Sequence, residues 1–425
     1  MSMSSGNILS FIHISDIHFN KMSGDPYDID KELRDAMLLD LQQNASTQLQ
    51  AVNGILVCGD IAFSGQQEEY RNALDFLKEI MNKFSLENKD IFCVPGNHDV
   101  DQAVAKHSYT LDIVQQNLAQ NINSDQLDKK IREIQKDSIL NIPNGLLYEP
   151  IRTYNQIFSP MSCSFTIDNP NWSTDIPLND TYNLVIYGMN STLTSSYLDH
   201  LDDNKKRRED GTERKMTINR GQIPSVRSNA IYLSLCHHPP ECWANSELQK
   251  HMDERVLIQL YGHKHIQDID NNAKRVRISS GALQPDRGND WVPRYNWLEI
   301  FIENDKLNVK IYPRIYDDNK GIFKSDQSSC DENCEYKLCR LEYGKKLGET
   351  EIPLEKEETT VKCTTVMTKD IVYRFSVLSD YKKKNLLRNF SDVKYEINQD
   401  IGVLLSEINR CNIETDFLKE LKNMG

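Results

Sequence analysis

Six of the ten histidines in this chain crowd into four short polar loops, in the company of aspartates, an asparagine and glycines. With one further Gly-Asp turn, the series reads Asp16-Ile17-His18, Gly59-Asp60, Gly96-Asn97-His98-Asp99, His237-His238-Pro239 and Gly262-His263-Lys264-His265. Imidazole and carboxylate ligands together suit Mn, Fe, Zn and related divalent ions. A carboxylate can bridge two ions because it has two oxygens. Imidazole is also the side chain most often used to move a proton near neutral pH. One Asp-x-His or one Gly-Asp is an ordinary strand-end turn. Five such loops, each directly after an apolar run, point to a shared site for metal-assisted chemistry.

The runs that must position these loops have strand length and composition: Ile8–Ile14, Ile55–Cys58, Ile91–Val94, Ile231–Cys236 and Val256–Tyr261. A sixth, Leu184–Tyr187, leads to Asn190, a residue that either lines the pocket or closes a plain turn. Helical patterns over Lys31–Leu49 and Glu68–Phe84 separate the first three strands, which predicts βαβ units and parallel or mixed sheets. In open α/β sheets, ligands sit beyond the carboxyl ends of the strands, so the five loops are expected to converge. Later runs at Val276–Ile278, Trp297–Ile302 and Leu307–Tyr312 lie closer together and are expected to pair antiparallel. Residues 101–180 read as an insertion, helical through about Leu140 and loop thereafter, serving as a cap or as a solvated elaboration. The charged stretch Asp202–Arg214 reads as a solvent-facing loop. The organisation expected is a catalytic domain over 1–315, an acidic linker or extension over 316–365 with a charge run at Glu349–Glu358, and a helical module over 366–425.

These motifs, in this order, resemble the calcineurin-like metallophosphoesterase family, and the resemblance spans roughly residues 8–315. It implies an α/β fold, a four-layer sandwich of two mixed β-sheets flanked by helices, with the C-terminal helical module appended. It implies two divalent metals (Mn, Fe or Zn). Asp16, His18, Asp60 and His265 would hold one ion; Asp60, Asn97, His237 and His263 would hold the other, with Asp60 as the bridge. The family places its ligand two residues before the proline, which favours His237 over His238. His238 then faces substrate or packs structurally. The resemblance also implies attack on phosphorus by a metal-bridging hydroxide, with His98 as general acid and Asp99 orienting its imidazole. The stretch Gly59-Asp60-Ile61-Ala62-Phe63-Ser64-Gly65, Glu68-Glu69-Tyr70 after it, and Pro95 through Asp101 are similar to the cyclic-nucleotide phosphodiesterase branch. A phosphodiesterase acting on a nucleotide or another small diester is therefore expected. The alternatives are a nuclease on DNA or RNA, resembling the repair-nuclease branch, and a component of a larger complex recruited through 366–425.

Composition narrows the classes. The net charge is −13 and the pI about 5.3, the wrong sign for general duplex binding, where phosphate contacts need Lys and Arg. No stretch of about 18 apolar residues occurs, so no membrane partner is expected. Met1–Asn7 is polar and lacks basic residues, so no secretory signal is expected. Cys58, Cys93 and Cys236 lie in or beside buried-looking runs, which suits reduced thiols and a cytoplasmic protein. Cys330, Cys334 and Cys339 lack the paired Cys-x-x-Cys spacing of a structural zinc site. Trp243 is either a core ring or a substrate-facing one, and His13, inside the first run, reads as a core histidine.

Overall fold

Strand-length apolar runs recur through residues 8–316, and in the computed structural model they pair into two mixed sheets. The structure describes residues 7–119, 124–136, 145–196, 199, 215–284, 292–344 and most of 371–424. The chain falls into two compact units, Met1–Lys346 and Leu347–Gly425.

Three parallel strands open the first sheet: β1 (Leu9–Ile14), β2 (Gly54–Cys58) and β3 (Ile91–Val94). All are buried along their whole length, which explains their largely apolar character, with Ser10 and His13 the polar exceptions in β1. The chain then builds the entire second sheet from β4 (Asn171–Pro177), β5 (Asn183–Met189), β6 (Ala230–Leu235), β7 (Ile258–Tyr261), β8 (Gln267–Asn271) and β9 (Val276–Ser280). It returns to the first sheet with β10 (Arg294–Glu303), β11 (Lys306–Asp317), β12 (Ile322–Ser325) and β13 (Lys337–Leu341). The first sheet runs β12-β11-β10-β1-β2-β3, with β13 also on β11; the second runs β4-β5-β6-β7-β9-β8. β10 pairs antiparallel with β1, while β5, β6, β7 and β9 run parallel.

The two-residue period of a strand divides the core. On β5, Leu184 and Ile186 join the main core with Phe11, Ile55, Leu233 and Leu260. Val185, Tyr187 and Met189 point the other way and pack with Trp243, Leu248 and Met252, the last two from the helix Glu247–Arg255. Each such side chain contributes about 1.5–3 kcal/mol of burial. The helix Gln67–Phe84 buries Tyr70, Ala73, Phe76, Leu77, Ile80 and Met81 at helical spacing. A capping box between Gln66 and Glu69 starts it, and Ser85, left-handed at φ 55°, ends it.

Several expectations change in detail. The insertion is helical over Gln102–His107, Tyr109–Ala119 and Ser124–Lys136, but the part read as loop also holds a helix at Arg152–Phe158 and the edge strand β4. An edge strand needs only one apolar face, so the polar sequence of β4 hid it. Past residue 315, β12 and β13 extend the first sheet. The run Glu349–Glu358 and the loop 202–214 lie outside the described residues. The second unit carries the helices Asp380–Arg388, Ile401–Cys411 and Glu414–Met424 around a core that includes Phe375, Leu386, Leu404, Ile408, Phe417 and Leu421. Among the described residues, no helix is long and apolar enough to cross a membrane.

Candidate metal centre

Each polar loop leaves the carboxyl end of a buried strand: Asp16 and His18 follow β1, Asp60 follows β2, Asn97 follows β3, His237 follows β6, and His263 and His265 follow β7. The backbone there is unusual. Asp16, His18, Asp60, His263 and His265 all sit at positive φ, between 51° and 71°. For residues other than glycine this conformation costs roughly 1–2 kcal/mol each, and such strain gathers at functional sites. Gly59 takes φ 84° and lets the chain turn beneath Asp60. At Gly96 the need is space, since a Cβ would fall 2.1 Å from Asp60 Oδ1.

Two groups of donor atoms result. In one, His18 Nε2 lies 3.4 Å from His265 Nε2, and His265 Nε2 lies 3.1 Å from Asp16 Oδ1. Asp60 Oδ2 closes this group, 4.0 Å from His18 Nε2. In the other, Asn97 Oδ1 lies 3.1 Å from both His237 Nε2 and His263 Nδ1. The same Asp60 Oδ2 stands 3.3 Å from His237 Nε2, so one oxygen faces both groups. Asp60 Oδ1 is engaged separately, accepting from the His98 amide at 2.8 Å. His237 Nδ1 donates to the Cys58 carbonyl at 2.8 Å, which turns Nε2 inward. Asp16 accepts from Ser15 Oγ at 2.5 Å and from the His263 amide at 3.2 Å. The ligand atoms of Asp16, His18, Asp60 and His265 lie within 4.8 Å of one another, as do those of His237, His238 and His263. Cys330, Cys334 and Cys339 form no such group among the described residues.

Electrostatics sort these side chains. Burial, with His98 nearby, drives His18 down to about 3, and burial with His237 does the same to His263. Both are therefore neutral imidazoles with lone pairs available. At His237 burial opposes charge but is outweighed by Asp60 and Asp16, which lift it to about 9. Asp60 stays well below the usual carboxylate range because His237, His98 and His18 overcome its burial. Buried carboxylates thus hold a proton on His237, a demand for positive charge that a divalent ion also meets. Two carboxylates, an amide oxygen and four imidazoles, buried or nearly so and aimed at two neighbouring points, fit a pair of divalent ions.

His98 is half-buried beside this cluster, its ring 4.5 Å from that of His18. Its Nδ1 donates to the Phe63 carbonyl at 2.9 Å. Asp99 braces the turn that carries His98. Its carboxylate accepts from the amides of Ile61, Ala62 and Gly96 and from Tyr70 Oη, at 2.8–3.2 Å. Asp99 therefore ties the Asp60 loop to the Asn97 loop. Burial, with Asp60 close by, raises it to about 7. The Phe63 contact was beyond sequence reasoning, because a backbone carbonyl has no residue signature.

The remaining candidates are all buried. His238 is buried, with Nδ1 2.8 Å from Ser191 Oγ and its ring centroid 4.4 Å from that of His263. Asn190 is buried, its Oδ1 accepting from Thr192 N and Oγ1, while its Nδ2 finds no partner. Trp243 is a core ring whose Nε1 donates to the His238 carbonyl at 2.8 Å. His13 is a core histidine, pushed to about 3 by burial.

The sequence profile of the calcineurin-like phosphoesterases matches residues 9–267. No curated protein matches the chain. Among solved structures, the chain is similar to a single mutant of Vps29 from Entamoeba histolytica, with 12% identity, 78% of this chain and 98% of that chain covered, and a TM-score of 0.31. It is similar to a predicted phosphoesterase from Streptococcus pneumoniae, at 12% identity, 75% and 97% coverage and a TM-score of 0.27. For a putative 5'-nucleotidase from Staphylococcus aureus in complex with alpha-ketoglutarate the values are 10%, 81% and 56%, and 0.35.

Proposed function

Since the chain belongs to the calcineurin-like phosphoesterase family, hydrolases of phosphoric esters, we propose that it is a dinuclear-metal phosphodiesterase acting on a small diester. The observation that carries this reading is the convergence of seven side chains from five strand ends on two adjoining donor groups that share Asp60 Oδ2. Asp16, His18, Asp60 and His265 would hold one ion, and Asp60, Asn97, His237 and His263 the other. Bound there, two divalent ions supply Lewis-acid polarisation of the phosphoryl oxygens and a water acidic enough to be a nucleophile near neutral pH.

The chain's own residues do the rest. His98 carries a proton on Nδ1, fixed by the Phe63 carbonyl, so Nε2 is the atom that hands a proton to the leaving oxygen. Asp99 positions His98 through the loop it braces. His238 packs against His237 and His263 and, with the buried Asn190, is a substrate-facing candidate. The second unit contributes none of these donors, so deleting 347–425 is expected to leave hydrolysis within about twofold, as for an independently folded appendage. Loss of a bound protein partner on that deletion would mark it as a recruitment module.

The test is a panel of cyclic nucleotides, simple mono- and diesters and DNA, turned over by the purified full chain with added Mn. Preference for small diesters is the expected result. Preference for monoesters would defeat the diesterase reading and leave the family membership standing.

A further inference from the structure

Beside His98 the surface opens into a cleft of about 550 Å³, within the size range of small-molecule pockets. It is walled by the two segments that continue from proposed metal ligands: Asn20 to Asp30, which follow His18, and Phe63 and Ser64, which follow Asp60. A backbone hydrogen bond from Phe63 to Phe19 joins the two walls at 2.8 Å. Met22, Tyr27, Ile29 and Phe63 line it as exposed large apolar side chains, with the exposed Lys21 beside them. Lone exposed apolar residues need no explanation; four lining one concavity mark a binding surface. Besides Asp30, the lining has two carboxylates that are already committed: Asp28 pairs with Arg34, and Glu69 accepts from Ser64 and Gln66. Their charges are thus spent within the fold rather than offered to a ligand.

The position of the cleft fixes which part of a substrate it meets. Phe63 is half exposed, its ring centroid 5.4 Å from that of His98, and its carbonyl holds His98 Nδ1. The residue that protonates a leaving oxygen must stand beside the leaving group. From this, and resting on the phosphodiesterase reading above, we infer that the cleft receives the leaving alcohol and selects one that carries a planar aromatic ring, stacked against Phe63 and Tyr27. A nucleoside base and a simple aryl group share this chemistry. Hydrolysis transfers the phosphoryl group to water and returns the proton of His98 to the departing alkoxide, so the ring-bearing alcohol leaves neutral from the cleft.

The test uses methyl phosphodiesters of benzyl alcohol, cyclohexylmethanol and the 5'-hydroxyl of adenosine, following release of the larger alcohol by the Mn-loaded full chain. Benzyl and cyclohexylmethyl differ in planarity but little in leaving ability. The benzyl or the adenosyl ester is expected to show kcat/KM about 3- to 10-fold above the cyclohexylmethyl ester, the size of one aromatic contact. Phe63→Leu and Tyr27→Ala should each bring that ratio toward one. A higher value for adenosyl than for benzyl identifies the nucleoside as the source, and the reverse an aryl alcohol. A second readout needs no turnover: ligand-observed NMR with adenosine and benzyl alcohol on metal-free protein, where saturation transfer is expected for wild type and not for Phe63→Leu. Equal kcat/KM for all three esters, or ratios unmoved by both substitutions, would overturn the inference. If no diester is hydrolysed, the diesterase reading falls, and Phe63-dependent ring binding to the metal-free protein then supports the cleft by itself; absence of that binding overturns it.

Discussion

The two sheets furnish different halves of the centre. The loops after β1, β2 and β3 bring both carboxylates, Asp16 and Asp60, the amide of Asn97, and the histidines His18 and His98. The loops after β6 and β7 bring only imidazoles: His237, His238, His263 and His265. The first sheet therefore carries the negative charge, and the second presents His238 and His263, held neutral by burial, with His237 and His265, whose protonated forms Asp16 and Asp60 favour against the pull of burial. Neither face holds an ion pair alone. On the proposed reading, the first sheet would supply the charge and the bridging carboxylate, and the second would complete the donor set of each ion.

Asp60→Asn tests the contrast most severely, because its carboxylate faces both donor groups. Loss of both metals, read by elemental analysis, is expected together with a fall in kcat/KM on the order of 10³-fold or more, the loss of several kcal/mol of charge stabilisation. Retention of two metals at full activity would remove Asp60 from the bridge. His98→Ala should keep both metals and slow an alkyl diester by about 10²–10⁴-fold, with a much smaller effect on a nitrophenyl ester, whose leaving group needs no proton. An equal effect on both esters would end its role as an acid. His18→Ala and His237→Ala sharpen the comparison from either side. Each is expected to lower metal content from two ions to one and kcat/KM by about 10- to 100-fold, by analogy with loss of a metal-orienting group. Unchanged stoichiometry in both would mean the donors of the two sheets are interchangeable. Chelation is the mildest perturbation. With each ion at about 100 times its Kd, the two sites together add about 5.4 kcal/mol, so stripping them should lower Tm by about 7 °C for a unit of roughly 350 residues at about 2.1 cal/mol/K per residue. A scan that ignores chelator would show that the centre is not held by metal.

Much of the fold was legible because buried parallel strands are written as largely apolar runs. Ile91–Val94 was read to the residue, and the runs ending at Ile14, Cys58 and Tyr261 missed only their first residues. The strands that escaped, β4, β8, β12 and β13, are half-exposed, and each is paired on one side only, where one polar face masks the pattern. The donor residues were visible because each ends such a run. The part of Asp99 was not, since Asp-after-His reads as a neighbouring partner when the carboxylate is turned toward the amides of another loop. The cleft beside Phe63 was equally hidden: Met22, Tyr27 and Ile29 lie in an irregular segment without periodicity.

The return of the chain to the first sheet has a consequence during synthesis. β1 pairs with β10 along Leu9–His13, yet β10 begins only at Arg294, after the whole second sheet has been made. At roughly 5–20 residues per second, a nascent chain exposes one edge of a mostly apolar strand for about 15–55 s. Such an edge invites pairing with any extended neighbour, so the interval before β10 arrives to close it is the one in which this chain is most open to mispairing.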